Sequence, residues 1–245
     1  MTLKNNEFFD QLADDYDEMI NFEKAVANKI KTLKKFIKPH FKFALDLGCG
    51  SGADSIVLSK LGLEVDAVDH SAGMLEQAVK NSKHFKTKIN FIQSGLTDFS
   101  VSHKSFDIIV SLGNTLANLK RNELGILLKN HYTYLNNGGN IVIQIINYAK
   151  LPTSGTFTLH TFENDSVIIT RKYNINADDI DFIIDKTDKN KKIESQIITK
   201  LYPHSANDFK KFAKEIGFSL AIYGDLNKSP FKEKESSNLV AVLTK

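Results

Sequence analysis

Cysteine is almost absent from this sequence. Of 245 residues only Cys49 carries a thiol, so no disulfide can form within the chain, and a reducing compartment is its natural setting. No apolar run approaches the ~20 residues needed to span a bilayer. The opening Met1-Thr2-Leu3-Lys4-Asn5-Asn6 has no apolar core of the kind that directs secretion. A cytoplasmic location without membrane attachment is therefore expected. A strong charge of either sign is also lacking. Lys+Arg total 32 against 29 Asp+Glu, a net charge of +3, and the lysines are spread along the chain. That balance argues against nucleic acid as a partner. No spaced set of carboxylates and histidines suggests a metal site, and internal repeats and low-complexity tracts are missing.

Apolar residues make up 42% of the chain, enough for a substantial core. Residues 7–38 have apolar positions at helical spacing, ending at Pro39. A strand–helix rhythm follows. Strands are predicted at 43–47, 64–68, 89–93, 106–110 and 140–146, with helices to about Leu61, from Ser71 to about Ser82, and from Glu123 to Leu135. Asn136-Asn137-Gly138-Gly139 reads as a turn. Alternation of this kind predicts a parallel sheet covered by helices. From Thr156 to about Tyr202 four strand-like runs are joined by short polar turns, the pattern of antiparallel hairpins. A helix from Ser205 to Ile216 and two closing strands, 219–223 and 238–243, complete the chain.

The most informative stretch is Leu45-Asp46-Leu47-Gly48-Cys49-Gly50-Ser51-Gly52, between the first strand and its helix. Three glycines let the backbone turn tightly against a ligand, and the helix N-terminus presents free N–H groups. Asp69 ends the second strand, about twenty residues on, where an acid can bond ribose hydroxyls. Gly48-x-Gly50-x-x-Ala53 also satisfies a loose dinucleotide pattern, so NAD has to be weighed. Asp46 argues against it, since a carboxylate there would repel a pyrophosphate. S-adenosylmethionine carries an ammonium and a sulfonium that an acid suits.

This glycine run resembles the first motif of the class I S-adenosylmethionine-dependent methyltransferases. Val68-Asp69-His70-Ser71-Ala72-Gly73-Met74-Leu75 resembles the second motif, Ser105–Val110 that of the fourth strand, Leu135–Gly139 the turn before strand five, and Gly217-Phe218 the pair before strand six. Phe9–Asp17 resembles the helix that closes over the cofactor. The resemblance implies a Rossmann-like, doubly wound α/β fold. Its seven-stranded sheet would have order 3-2-1-4-5-7-6, with strand seven antiparallel and an antiparallel β-region inserted after strand five. The corresponding division is residues 1–40 as cap helices, 41–150 with 203–245 as the core, and 151–202 as a β-meander lid.

The resemblance further implies S-adenosyl-L-methionine as cofactor, with Asp46, Gly48, Cys49, Gly50, Asp69, His70, Met74, Gly95, Leu96 and Leu112 around it. Gly95 holds a position where the family often has an acid for the adenine amino group, and Asp98 is the nearby alternative. Ser111–Leu119 and Asn147-Tyr148 resemble the corresponding runs of glycine and sarcosine N-methyltransferases. Ile146 replaces the arginine that grips a substrate carboxylate in those enzymes, which disfavours glycine itself. The acceptor side is expected at Tyr16, Asn114, Asn118 and Tyr148, with no residue assigned as a catalytic base. Methyl transfer then needs a nucleophile held in line and water excluded.

With Cys49 inside the glycine loop, no thiol is free to attack a nucleobase, and no Asn-Pro-Pro-Tyr-like run follows strand four. The expected acceptor is therefore a nitrogen or oxygen of a small molecule. A binding module without catalysis and an RNA or protein methyltransferase remain the alternatives. Arg171, His160 and His204 lie in or just after the insertion. Arg171 could bind an acidic group of the substrate, but a solvated strand position is the preferred reading, and Lys189–Lys192 reads as a solvated turn.

Overall fold

The computed structural model describes residues 2–101 and 105–245. Its central sheet is built from β1 (Phe43–Leu47), β2 (Glu64–Asp69), β3 (Ile89–Gln93), β4 (Phe106–Ser111), β5 (Leu135–Ile146), β10 (Ser219–Tyr223) and β11 (Asn238–Thr244). The spatial order is β10-β11-β5-β4-β1-β2-β3, and β11 pairs antiparallel with both of its neighbours. This is the expected 3-2-1-4-5-7-6 arrangement, with β10 and β11 as its sixth and seventh strands.

Phe-Ala-Leu-Asp-Leu of β1 is buried along nearly its whole length because helices cover both faces of the sheet. One face holds α5 (Arg121–Tyr134) and α6 (Ala206–Ile216), whose Leu124, Leu127, Leu128 and Phe209 join β4 and β5 in one apolar cluster. The other holds α2 (Phe22–Leu33) and α3 (Ala53–Lys60), with Phe22, Val26, Leu33, Ile56 and Val57 in a second. Helix α4 (Ala72–His84) follows β2, and Ser71 caps it by accepting a hydrogen bond from the Met74 N–H at 3.0 Å. Among the described residues, no helix is long and apolar enough to cross a membrane.

Strands β6 (Gly155–Glu163), β7 (Val167–Ile175), β8 (Ile180–Asp188) and β9 (Ile193–Leu201) form a separate antiparallel sheet in chain order. It packs on α1 (Asn5–Ile20) through Phe8, Leu12, Val167, Ile169 and Ile184.

Two local expectations are corrected. The helical stretch expected over 7–38 is broken at Asn21, whose φ of 52° ends α1 in the left-handed conformation that asparagine tolerates. The break frees α1 to lie against the second sheet while α2 stays on the first. The predicted turn at Asn136–Gly139 lies within β5, where the register passes from Phe106↔Leu135 to Ile108↔Asn140. The extra residues loop out of the ladder, with Gly138 at φ 76°.

Candidate functional site

The glycine loop leaves β1 at the carboxyl edge of the sheet. Gly48, Gly50 and Gly52 all have positive φ, and the loop is anchored because the Gly48 and Cys49 N–H groups donate to the Val68 carbonyl at 2.8 and 3.0 Å. A Cβ at Gly48 would lie 2.1 Å from Thr115 Cγ2, so the close approach of the Thr115 turn demands glycine there. At Gly50 the nearest atom to such a Cβ is Tyr16 Cε1 at 4.0 Å, leaving the backbone open beneath that ring.

Asp69, at the end of β2, accepts from the Gly50 N–H at 2.8 Å and from the Ser71 N–H at 2.9 Å. Each carboxylate oxygen keeps acceptor capacity beyond those bonds. Burial raises its pKa despite these N–H groups.

Helix α1 is tied across this loop by carboxylates. Asp10 accepts from the Ser71 hydroxyl at 2.6 Å and the Gly73 N–H at 3.0 Å. Asp17 accepts from Gln77 and Asn81, both at 2.7 Å, and Asn81 donates onward to the Ser51 carbonyl. At its N-terminal end Asn5 donates to Asn118 Oδ1 at 2.8 Å.

Between these parts lies a cavity of about 440 Å³. Gly48, Gly50, Asp69, His70, Met74 and Leu96 form one wall, and Asn114, Thr115, Asn118 and Ile146 another. Phe9, Leu12 and Tyr16 of α1 cover it, together with Leu159, His160, Arg171, Tyr173 and Phe182 of the second sheet. Desolvation raises the pKa of both Tyr16 and Tyr173, and the Arg171 guanidinium partly offsets this for each.

Most of the residues expected around the cofactor, and Tyr16, Asn114 and Asn118 on the acceptor side, thus meet at one cavity. Five expected residues do not line it. Asp46 is turned to α3, where its carboxylate accepts from Ser55 Oγ at 2.6 Å. Burial and the Asp54 carboxylate push its pKa up to about 7. Cys49 is buried with its thiol toward the Gly50 carbonyl, and Leu112 is part of the apolar cluster beneath α2 and α3. Gly95 is closed off by Asp98, whose Oδ2 would lie 2.6 Å from a Cβ there, and Asp98 itself is exposed. Tyr148 stands behind the wall, donating its hydroxyl to Asn114 Oδ1 at 3.0 Å. It therefore positions Asn114, which has φ 71° and also accepts from the Ile146 N–H.

The sequence does not single out Tyr173, gives Phe9 only as part of the covering helix, and favours a solvated position for Arg171 over contact with substrate. Arg171 is the instructive case, because the expectation of a solvated strand position is wrong. It shares its parity with the buried Val167, Ile169 and Tyr173, and that alternation was legible in the sequence. His204 is buried away from the cavity, with Nε2 3.1 and 3.0 Å from the Leu116 and Leu119 carbonyls.

The lining suits a nucleoside bearing positive charge: an acid stands at the strand end, a bare glycine backbone and the Met74 thioether beside it, and aromatic side chains opposite. It provides no cluster of cations at the glycine loop for a diphosphate. Residues 44–139 match the family described as "Methyltransferase domain".

Residues 44–139 form a class I S-adenosylmethionine-dependent methyltransferase domain.

The cofactor of this superfamily is S-adenosylmethionine. The methyltransferase core has relatives of differing kinds. The chain is 26% identical over 160 residues to a glycine/sarcosine N-methyltransferase of Aphanothece halophytica, covering 64% of this chain and 60% of that protein. It is 35% identical over 103 residues to a ribosomal protein L11 methyltransferase of Campylobacter fetus, covering 42% of this chain and 34% of that protein. The chain thus spans less than two thirds of these relatives' lengths. The fold matches that of an S-adenosylmethionine-dependent methyltransferase from Clostridium acetobutylicum, with a TM-score of 0.77 at 17% identity over 96% of this chain and 97% of the other.

Proposed function

We propose that this chain transfers a methyl group from S-adenosylmethionine to a nitrogen or oxygen of a small molecule. The observation that carries the reading is the covered cavity. Asp69 and the glycine loop stand at one side of it, and amide, phenol and guanidinium groups at the other. At about 440 Å³ it falls within the ordinary range for small-ligand sites, roughly 300–1,000 Å³. Its covering by α1 and the second sheet favours a small acceptor over a macromolecular one.

In this reading Gly48 and Gly50 let the ligand lie against backbone, Asp69 takes the ribose hydroxyls, and Met74 and Leu96 face the base. Asn114 and Asn118 orient the acceptor, with Tyr148 holding Asn114 in place. When bound, the cofactor supplies a methyl already activated by the sulfonium. The chain's own residues then have to align the acceptor and keep water out. Residues 1–40 act as a cap, 151–202 as a lid, and 41–150 with 203–245 as the core they close.

Calorimetry with S-adenosylmethionine and with NAD, followed by label transfer from methyl-labelled cofactor to a panel of small amines and alcohols, tests the reading. The expected result is binding of the first ligand only, with label in a small product. Asp69→Asn keeps one acceptor oxygen for the loop but loses the charge, and should weaken cofactor binding about tenfold to a hundredfold. Tight NAD binding alone, or label found only in added protein or RNA, would overturn it.

A further inference from the structure

We infer that the acceptor carries an oxyanion, a carboxylate or a phosphate, and that Arg171 binds it. This rests on the methyl-transfer reading and adds the chemical class of its substrate.

Alternation along β7 is the first ground. Val167, Ile169 and Tyr173 are 7%, 0% and 3% exposed and pack inward, and Arg171 shares their side of the strand. It is the one charged side chain in that row. Its neighbour Lys172 faces the other way and is paired with Asp185 across β8. Arg171 Nε, by contrast, is buried and has no hydrogen-bond partner among the described residues. A desolvated guanidinium edge without an acceptor is unfavourable, so its retention on an inward row calls for an acceptor that arrives with a ligand.

A bulge opposite Arg171 is the second ground. Pairing of β6 with β7 runs Thr158↔Lys172 and then His160↔Arg171, which leaves Leu159 extra. In a regular strand Leu159 and His160 would point to opposite faces. The bulge brings both to the cavity wall, beside Arg171.

The charge distribution is the third. Asp69 is the one carboxylate among the described lining residues, and it belongs to the glycine-loop wall. Ile146 leaves the β5 side of the acceptor space apolar. A permanently charged cation therefore reaches that space from the second sheet. Its planar fork of donors matches the paired oxygens of a carboxylate or phosphate. Tyr16 and Tyr173 line the same cavity.

The test loads the chain with S-adenosylhomocysteine and titrates it with acetate and with inorganic phosphate. Wild type, Arg171→Met and Arg171→Lys are compared by calorimetry. The wild type should bind at least one anion, and whichever binds more tightly distinguishes carboxylate from phosphate. Arg171→Met should weaken that binding about tenfold to a hundredfold, with Arg171→Lys intermediate, while S-adenosylhomocysteine affinity stays within about threefold. In turnover, a carboxylated or phosphorylated acceptor should exceed its ester or dephosphorylated counterpart in kcat/KM, and Arg171→Met should abolish that preference. Equal anion binding by wild type and Arg171→Met overturns the inference, whatever the methylation assay reads. Arg171-dependent anion binding without methylation of any acceptor upholds the anion site and overturns the methyl-transfer reading instead.

Discussion

At the scale of single residues, the two aspartates of the loop region divide the electrostatic work. Asp69 lines the cavity and is held by N–H groups, whereas Asp46 is sealed behind the loop against Ser55 and near the Asp54–Lys29 pair. Burial weakens the Lys29 ammonium, yet the pairing with Asp54 outweighs it and its pKa is raised. Asp46 has only a hydroxyl donor and a like charge close by, which is why its pKa rises from 3.8 to about 7.

The sign of the consequence follows. As pH falls from about 7 toward 4, the folded chain takes up a proton at Asp46 before the unfolded chain does. Ionised Asp46 therefore opposes folding above about pH 7, and that opposition fades on acidification. Asp46→Asn, which still accepts from Ser55, is expected to stabilise the ligand-free chain by about 1–2 kcal/mol near pH 8, with the gain shrinking toward zero near pH 4. Urea denaturation at both pH values checks this. A gain of the same size at each would show that charge is not the cause.

At the scale of elements, α1 is attached to the core mainly by side-chain acceptors, and its apolar face goes to the second sheet. Such an element can release its polar contacts without exposing the core clusters. Asp10→Ala removes the bonds to Ser71 and Gly73 but leaves the Ser71 cap of α4 in place. The expected outcome is a roughly fivefold to hundredfold faster release of S-adenosylhomocysteine in stopped-flow measurements, from two lost hydrogen bonds at about 0.5–1.5 kcal/mol each. Thermal unfolding of the ligand-free chain should shift by only a few degrees. An unchanged release rate would mean that α1 does not cover the bound cofactor.

For the whole molecule, the cavity lies between two sheets that share no strand, joined through α1 and the turn at Thr115–Asn118. Hydrogen exchange should reveal that division. S-adenosylhomocysteine is expected to increase protection in the glycine loop, α1 and the inward row of β7, and to leave the β5–β11 ladder nearly unchanged. Uniform protection across both sheets would instead indicate one cooperative unit with no separate covering element.

The sheet order was implied only by the family resemblance, whereas the strand–helix rhythm, the glycine turn, Asp69 and the four-stranded insertion could all be read from the chain itself. Each rests on local chemistry: hydrophobic period, glycine spacing, and the polar turns that separate short strands. The break at Asn21 and the looped-out residues at Asn136–Gly139 were not legible, because each depends on where the neighbouring element docks. The same reason governs the site. Asp46 and Asp69 lie at or next to the ends of adjacent strands and look alike in the sequence. Only the packing of α3 turns the first away from the cavity and leaves the second on its wall. Likewise, the alternation of β7 placed Arg171 in line with Val167, Ile169 and Tyr173. What lay over that row was settled only when α1 and the core closed against it, because burial is a property of the assembled surfaces and not of the strand that carries the residue.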